Sequence, residues 1–159
     1  MTEESKNKPP AKDRYYEDYD EGEVFDCGEI LISEEEIITF AKCFDPQSFH
    51  TDPAAAEQSI YGSIIASGWH TGALLMRSMV DHFVSNASQG SPGVENMRWP
   101  LPVRGGDVLR ASVIILSTRR SRSKPDRGIL VSRAEVHNQR RELVMDLTAT
   151  NFIACRDKS

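Results

Sequence analysis

The chain has 159 residues and a formal net charge of −5, and 39% of its residues are hydrophobic and 27% are charged. These values fit one globular domain, and the acidic balance disfavours nucleic acid as a partner. No apolar run approaches the roughly 20 residues of a membrane span, and the charged amino terminus does not resemble a secretory signal. Because the three cysteines show no paired spacing, we expect a cytoplasmic protein that is not attached to a membrane.

The amino-terminal part of the sequence predicts a disordered tail over residues 1–14, which are charged, contain prolines and lack an apolar run. A single domain is then expected over residues 15–159. Its first predicted strand covers residues 29–32. Ser33 and Glu36 form a capping-box pattern, which starts a helix that Pro46 should end near residue 44.

The middle of the chain predicts a central helix over about residues 67–84. Its apolar residues cover most of the circumference, which is typical of a buried helix. Alternating or apolar segments after it predict strands near residues 94–103, 109–116, 130–136 and 143–153. The fold class is therefore α+β, with an antiparallel sheet of about five strands wrapped around the central helix. A second subunit that extends the sheet would cover its remaining face, so we expect a homodimer or a higher homo-oligomer.

The segment before the central helix carries the candidate chemistry. Asp45 and His50 lie five residues apart in a segment that contains two prolines, and a carboxylate beside an imidazole can share proton transfer. Spacing alone leaves a structural alternative open, in which Asp45 shapes its loop and His50 only hydrogen-bonds to it. Asp52 is interpreted as a helix cap before Pro53. The order His50, Thr51, Asp52 also fits half of an iron site, but the flanking prolines disfavour it and we expect no metal.

Three segments together resemble the MaoC-like dehydratases, which include the (R)-specific enoyl-CoA hydratases. They are the run from Asp45 to Pro53, the pair Tyr61-Gly62, and the run from Pro102 to Leu109, against the family's Pro-Val-x-x-Gly-Asp-x-Leu. The resemblance covers about residues 15–155. It implies the hot-dog fold and the reversible hydration of a 2-enoyl-CoA thioester. It also implies no metal or organic cofactor, since coenzyme A is part of the substrate.

The resemblance also implies roles for individual residues. Asp45 and His50 would be the acid/base pair, and the Gly62 N–H, expected at a helix start, would stabilise the thioester oxyanion. Where the hydratases have Asn-Pro, this chain has Gln47-Ser48, which puts the substrate in question. The candidate substrate-binding residues near this pair are Gln47, Ser67 and His70. His70 is equally consistent with a core histidine.

A basic loop over residues 119–127 completes the candidate sites. Arg119, Arg120 and Arg122 are candidates for attracting the phosphates of coenzyme A, although a solvated hairpin or a subunit contact is also consistent with them. Trp99 is interpreted as a core or dimer-packing residue. Two alternative functions stay open: an acyl-CoA thioesterase of the same fold, and a subunit that binds acyl-CoA without catalysis.

Overall fold

The structure is a computed structural model that describes residues 8–157. Two short 3₁₀ helices, Ala11–Asp13 and Tyr16–Asp18, precede the sheet. The helices are α1 (Glu34–Phe44), α2 (Ser48–Thr51), α3 (Pro53–Glu57) and α4 (Gly68–His82). The strands are β1 (Val24–Leu31), β2 (Gly93–Arg98), β3 (Val108–Arg120), β4 (Arg127–His137) and β5 (Leu143–Ala154).

The five strands form one antiparallel sheet in the order β1-β3-β4-β5-β2. Strand β4 alternates buried and partly buried residues along its whole length, because successive side chains of a strand point to opposite faces. One face of the sheet packs on α4, and the shared core includes Leu75, Leu109, Leu130 and Met145. The predicted α+β class, with five strands around a central helix, is confirmed.

Helix α4 is buried on one side only within this chain. Leu75 and Met79 lie in the core, whereas Trp69, Met76 and Val80 are 63%, 48% and 39% exposed. The continuous apolar circumference seen in the sequence therefore divides into a face on the sheet and an exposed face. An exposed apolar surface of this kind is typical of a site that contacts another molecule.

Of the predicted tail over residues 1–14, the structure describes residues 8–14, which contact the start of the sheet, and residues 1–7 lie outside the described part of the chain. The Lys8 ammonium lies 2.9 Å from the Glu23 carboxylate, and the Arg14 guanidinium lies 2.6 Å from the same side chain. Arg14 also stacks over Phe25, with 4.9 Å between its guanidinium carbon and the ring centre. These contacts attach the described part of the predicted tail to the residues just before β1.

Candidate active site

The end of α1 and the short helix α2 position the two candidate catalytic side chains. The Ser33 hydroxyl accepts the Glu36 N–H at the start of α1, as the capping box predicts, and Asp45 is the cap at the other end. Pro46 prevents the helix from continuing. The chain then turns into α2, whose third residue is His50. The turn at Pro46 and the short helix α2 therefore bring Asp45 and His50 together.

The two side chains face each other across a short gap. His50 Nε2 lies 3.4 Å from Asp45 Oδ2, and His50 Nδ1 lies 2.7 Å from the Ile65 carbonyl oxygen. A carbonyl oxygen only accepts hydrogen bonds, so Nδ1 carries the proton and donates it. In the neutral ring, Nε2 is then an acceptor beside the Asp45 carboxylate. The pair can accept both hydrogens of one water molecule.

Hydrogen bonds keep the Asp45 carboxyl group ionised. The Ser67 hydroxyl donates to Oδ2 at 2.7 Å, and the Gln47 amide donates to Oδ1 at 2.8 Å. These donors, Ser67 first, hold the pKa of Asp45 below its ordinary value, against the opposing effect of partial burial. Ser67 and Gln47, both predicted near the substrate, thus act on the carboxylate itself.

The amino terminus of α4 supplies a free backbone donor at the same cleft. Ser67 is the cap: its hydroxyl accepts the Trp69 N–H at 3.3 Å, and its carbonyl accepts the N–H groups of His70 and Thr71 at 2.9 and 3.1 Å. Within residues 8–157, the Gly68 N–H has no hydrogen-bond acceptor. It lies at the positive end of a 15-residue helix, where an anionic oxygen is stabilised.

The expected position of Gly62 at a helix start is wrong. Gly62 lies in an exposed turn with φ 71°, six residues before α4, and its N–H donates to the Ser59 carbonyl at 3.1 Å. It is also absent from the lining of the cleft. The sequence did contain a signal for Gly68, since a serine followed by glycine before an apolar helix is a cap pattern.

An open cleft of about 390 Å³ joins these groups. Asp45, His50 and Gly68 line its polar part. Aromatic and aliphatic side chains form the remaining walls, and they include Phe49, Tyr61, Ile65, Trp69, Trp99, Leu101 and Val103. Trp99, which the sequence assigned to packing, is therefore a wall of the cleft. No periodic pattern marked these walls in advance, because they come from five separate segments.

His70 does not contribute to this cleft. Its ring stacks on Phe40 with 4.6 Å between ring centres and an angle of 7°. It lies in a separate surface groove with Glu36 and Phe44. Burial lowers the pKa of His70, with Glu36 opposing the shift. His70 therefore packs against α1, outside the lining of the cleft, and a role in substrate binding stays a prediction.

The basic loop also lies away from the cleft of its own chain. Arg119 and Arg120 end β3, and Arg122 lies in the turn before β4. The 13 residues of β3 span about 40 Å at the usual rise of an extended strand, and its other end adjoins the cleft side of the molecule. The Arg120 Nε–H donates to the Pro125 carbonyl at 3.0 Å within the hairpin. A role toward the phosphates of coenzyme A stays a prediction.

The sequence and the fold are similar to those of known proteins. A family profile described as "MaoC like domain" matches residues 20–135. A crystal structure of a MaoC-like dehydratase from Rhodospirillum rubrum is 38% identical, with a TM-score of 0.84 over 91% of this chain and 99% of that one. The unliganded (R)-hydratase PhaJ1 from Pseudomonas aeruginosa shares the fold, with 24% identity and a TM-score of 0.70 over 90% of this chain and 86% of that one.

The description of a third similar structure names the fold. A conserved hypothetical protein from Mycobacterium tuberculosis, described as having a double hotdog fold, superimposes with a TM-score of 0.76 and 15% identity. The match covers 95% of this chain and 47% of that one. The predicted hot-dog fold is thus confirmed. Across residues 8–157, no helix combines the length and apolar character that crossing a membrane requires.

Proposed function

Because the chain belongs to the family of MaoC-like domains, we propose that it is a hydro-lyase that reversibly adds water to a 2-enoyl-CoA thioester. The product would be the 3-hydroxyacyl-CoA. The observation that carries the proposal is one cleft that combines an ionised carboxylate, an imidazole with a fixed tautomer, and an unpaired N–H at a helix amino terminus. Hydration needs these three groups: a water-orienting acceptor, a proton carrier and an oxyanion donor.

In the proposed reaction, one water molecule donates its hydrogens to Asp45 and to His50 Nε2. As the water oxygen bonds to C3, His50 takes one proton, and the C2=C3 electron pair moves onto the thioester as an enolate. The Gly68 N–H stabilises the enolate oxygen. His50 then returns the proton to C2, so that the elements of one water molecule are added and the histidine is regenerated.

The roles of the two side chains differ because their surroundings differ. Asp45 accepts hydrogen bonds at both oxygens, which makes its carboxylate a weak proton acceptor. It is suited to orienting water and to stabilising the imidazolium that forms 3.4 Å away. Imidazole is the side chain that most readily gains and loses protons near neutral pH. We therefore assign the proton shuttle to His50.

The two groups also predict the stereochemical course. Asp45 and His50 hold the water on one wall of the cleft, and His50 both removes and returns the proton. Oxygen and hydrogen therefore reach the same face of the double bond. Proton magnetic resonance of the product formed in deuterated water would show syn addition, and anti addition would contradict a single proton shuttle.

The experiment that tests the activity uses crotonyl-CoA and a panel of longer and branched 2-enoyl-CoA thioesters. Loss of the conjugated thioester absorbance reports hydration, and a thiol reagent in parallel reports release of coenzyme A. We expect hydration without thiol release, and a loss of about 100-fold or more in His50→Gln, as is typical when an acid/base group is removed. Thiol release would identify the thioesterase alternative. Binding without either reaction would identify the non-catalytic subunit.

We also propose that the active form is a homodimer. Strand β2 is an edge of the sheet, and Val94 on it is 48% exposed and lines a groove together with Met76 of α4. An edge strand with an adjoining apolar face is a ready site for pairing with a second copy. Sedimentation should show a dimer, and Val94→Asp should weaken it. A monomeric wild-type protein would contradict this assembly.

A further inference from the structure

Trp69 lies between two spaces in this molecule, one partly polar and the other mainly apolar. On one side is the catalytic cleft, and on the other is a groove of about 560 Å³ between α4 and strands β5 and β2. Trp69 lines both spaces. The groove has small and flexible side chains along its walls, namely Gly72, Ala73, Met76, Met79, Met97 and Ala149. It is more than large enough for an extended hydrocarbon chain, and its lining is almost entirely apolar.

A second indole completes the partition. The Trp69 and Trp99 rings meet edge to face, with 5.7 Å between centres and an angle of 69°. This geometry is a favourable aromatic contact. Trp99 also lies directly against the backbone of Gly68, where an added Cβ would be 2.6 Å from the ring. The second indole thus packs on the start of α4.

The strand end that carries Trp99 is itself anchored. Arg98 donates two hydrogen bonds to the buried Asp146 carboxylate, at 3.1 and 2.7 Å. Arg133 donates a third to the same group at 3.0 Å. Pro100 follows Trp99 and restricts the backbone after it. Both indoles are therefore fixed in place: Trp69 belongs to α4, and Trp99 follows the anchored end of β2.

We propose that the Trp69–Trp99 pair restricts the acyl group to short chains. This inference rests on the proposed function, which places the thioester oxygen at Gly68 and C3 at His50. A short 2-enoyl group ends within the catalytic cleft. A long tail that continues toward the groove meets the two indoles, which close the way along α4. Removing the Trp69 ring would join the two spaces and give a long tail an apolar compartment.

The test compares crotonyl-CoA (four carbons) with trans-2-dodecenoyl-CoA (twelve carbons) in the wild type, Trp69→Ala and Trp69→Phe. We expect the wild type to favour crotonyl-CoA in kcat/KM by about 100-fold or more, since a pocket discriminates 10- to 200-fold per methylene group that does not fit. Trp69→Ala should reduce this ratio by about 10-fold or more, through a gain on the long substrate. Trp69→Phe, which keeps a smaller ring, should reduce this ratio less than Trp69→Ala does.

Met79→Ala is the matched control, because it enlarges the same groove at a buried position, away from the exposed face of α4, without opening the partition. Its chain-length ratio should equal that of the wild type. A wild type that prefers dodecenoyl-CoA would overturn the proposal, as would Trp69→Ala losing both activities equally. If no substrate turns over, the proposed function fails. The chain-length preference is then measured by calorimetry, as the ratio of the affinities for butyryl-CoA and dodecanoyl-CoA. Equal affinities in the wild type would then overturn the chain-length proposal too.

Discussion

Gly68→Ala tests the role of the α4 amino terminus, because the structure leaves no room for a side chain there. An added Cβ would lie 2.6 to 2.9 Å from three atoms of the Trp99 indole, closer than real contacts. The rigid ring must move, and overpacking of this kind costs about 1–3 kcal/mol in the free energy of unfolding. Alanine returns about 0.5–1 kcal/mol through its better helix propensity. The net loss is about 0–2.5 kcal/mol.

Activity should fall further than stability, since the displaced indole and the new methyl group both intrude where the thioester oxygen would bind. We expect kcat/KM for crotonyl-CoA to drop about 100-fold, the typical effect of displacing a reacting group by about 1 Å. The assay is steady-state hydration, with thermal unfolding in parallel. A loss of 1–2 kcal/mol corresponds to about 2–8 °C in Tm for a domain of this size.

Gly72→Ala is the control, one turn further along the same helix. Its added Cβ would lie 3.5 Å from the Met145 methyl group, an ordinary contact. It should therefore keep activity and gain up to about 1 kcal/mol in stability. Wild-type activity in Gly68→Ala would refute the placement of the oxyanion at this N–H. Equal losses in both variants would indicate a general effect of glycine replacement.

Two further predictions concern hydrogen bonds to carboxylates. Ser67→Ala removes the 2.7 Å hydrogen bond to Asp45, which is the first cause of its lowered pKa, so the pKa of Asp45 should rise. Carbon magnetic resonance titration of the Asp45 carboxyl group measures this pKa, and an unchanged pKa would contradict the hydrogen bond as the cause. Arg98, the largest cause, lowers the pKa of Asp146, so this pair stabilises the fold above the ordinary aspartate pKa and loses that effect as pH falls through the lowered value. Chemical denaturation of Asp146→Asn from neutral to acidic pH should show a loss of about 1–2 kcal/mol at neutral pH that shrinks on acidification, whereas a constant difference would contradict an electrostatic origin.

The sequence was sufficient where local chemistry fixes the backbone. The Ser33–Glu36 capping box and Pro46 determine both ends of α1, and so place Asp45 at a helix exit. The alternating strands and the apolar helix required a sheet packed on α4. The proximity of Asp45 and His50 followed from the same local rules, since the turn at Pro46 leaves little freedom in the few residues between them.

The sequence was insufficient where distant segments meet. Gly62 and Gly68 both precede apolar residues, and only the fold shows that the Gly62 N–H is used within a turn while the Gly68 N–H is free. Trp99 lines the cleft because β2 pairs with β5. The local sequence pattern does not predict which strands pair. His70 follows Gly68 by two residues, yet the turn of the helix points it toward Phe40 instead of the cleft.

The measurement that tests the central claim most directly is hydration of crotonyl-CoA by Asp45→Asn beside Asp52→Asn. Both variants remove one carboxylate from the same segment. Asp52 caps α3 through the N–H groups of Ala54 and Ala55, and asparagine caps nearly as well as aspartate. The account predicts that Asp45→Asn loses about 100-fold or more in turnover while Asp52→Asn keeps wild-type activity. Full activity in Asp45→Asn would contradict it.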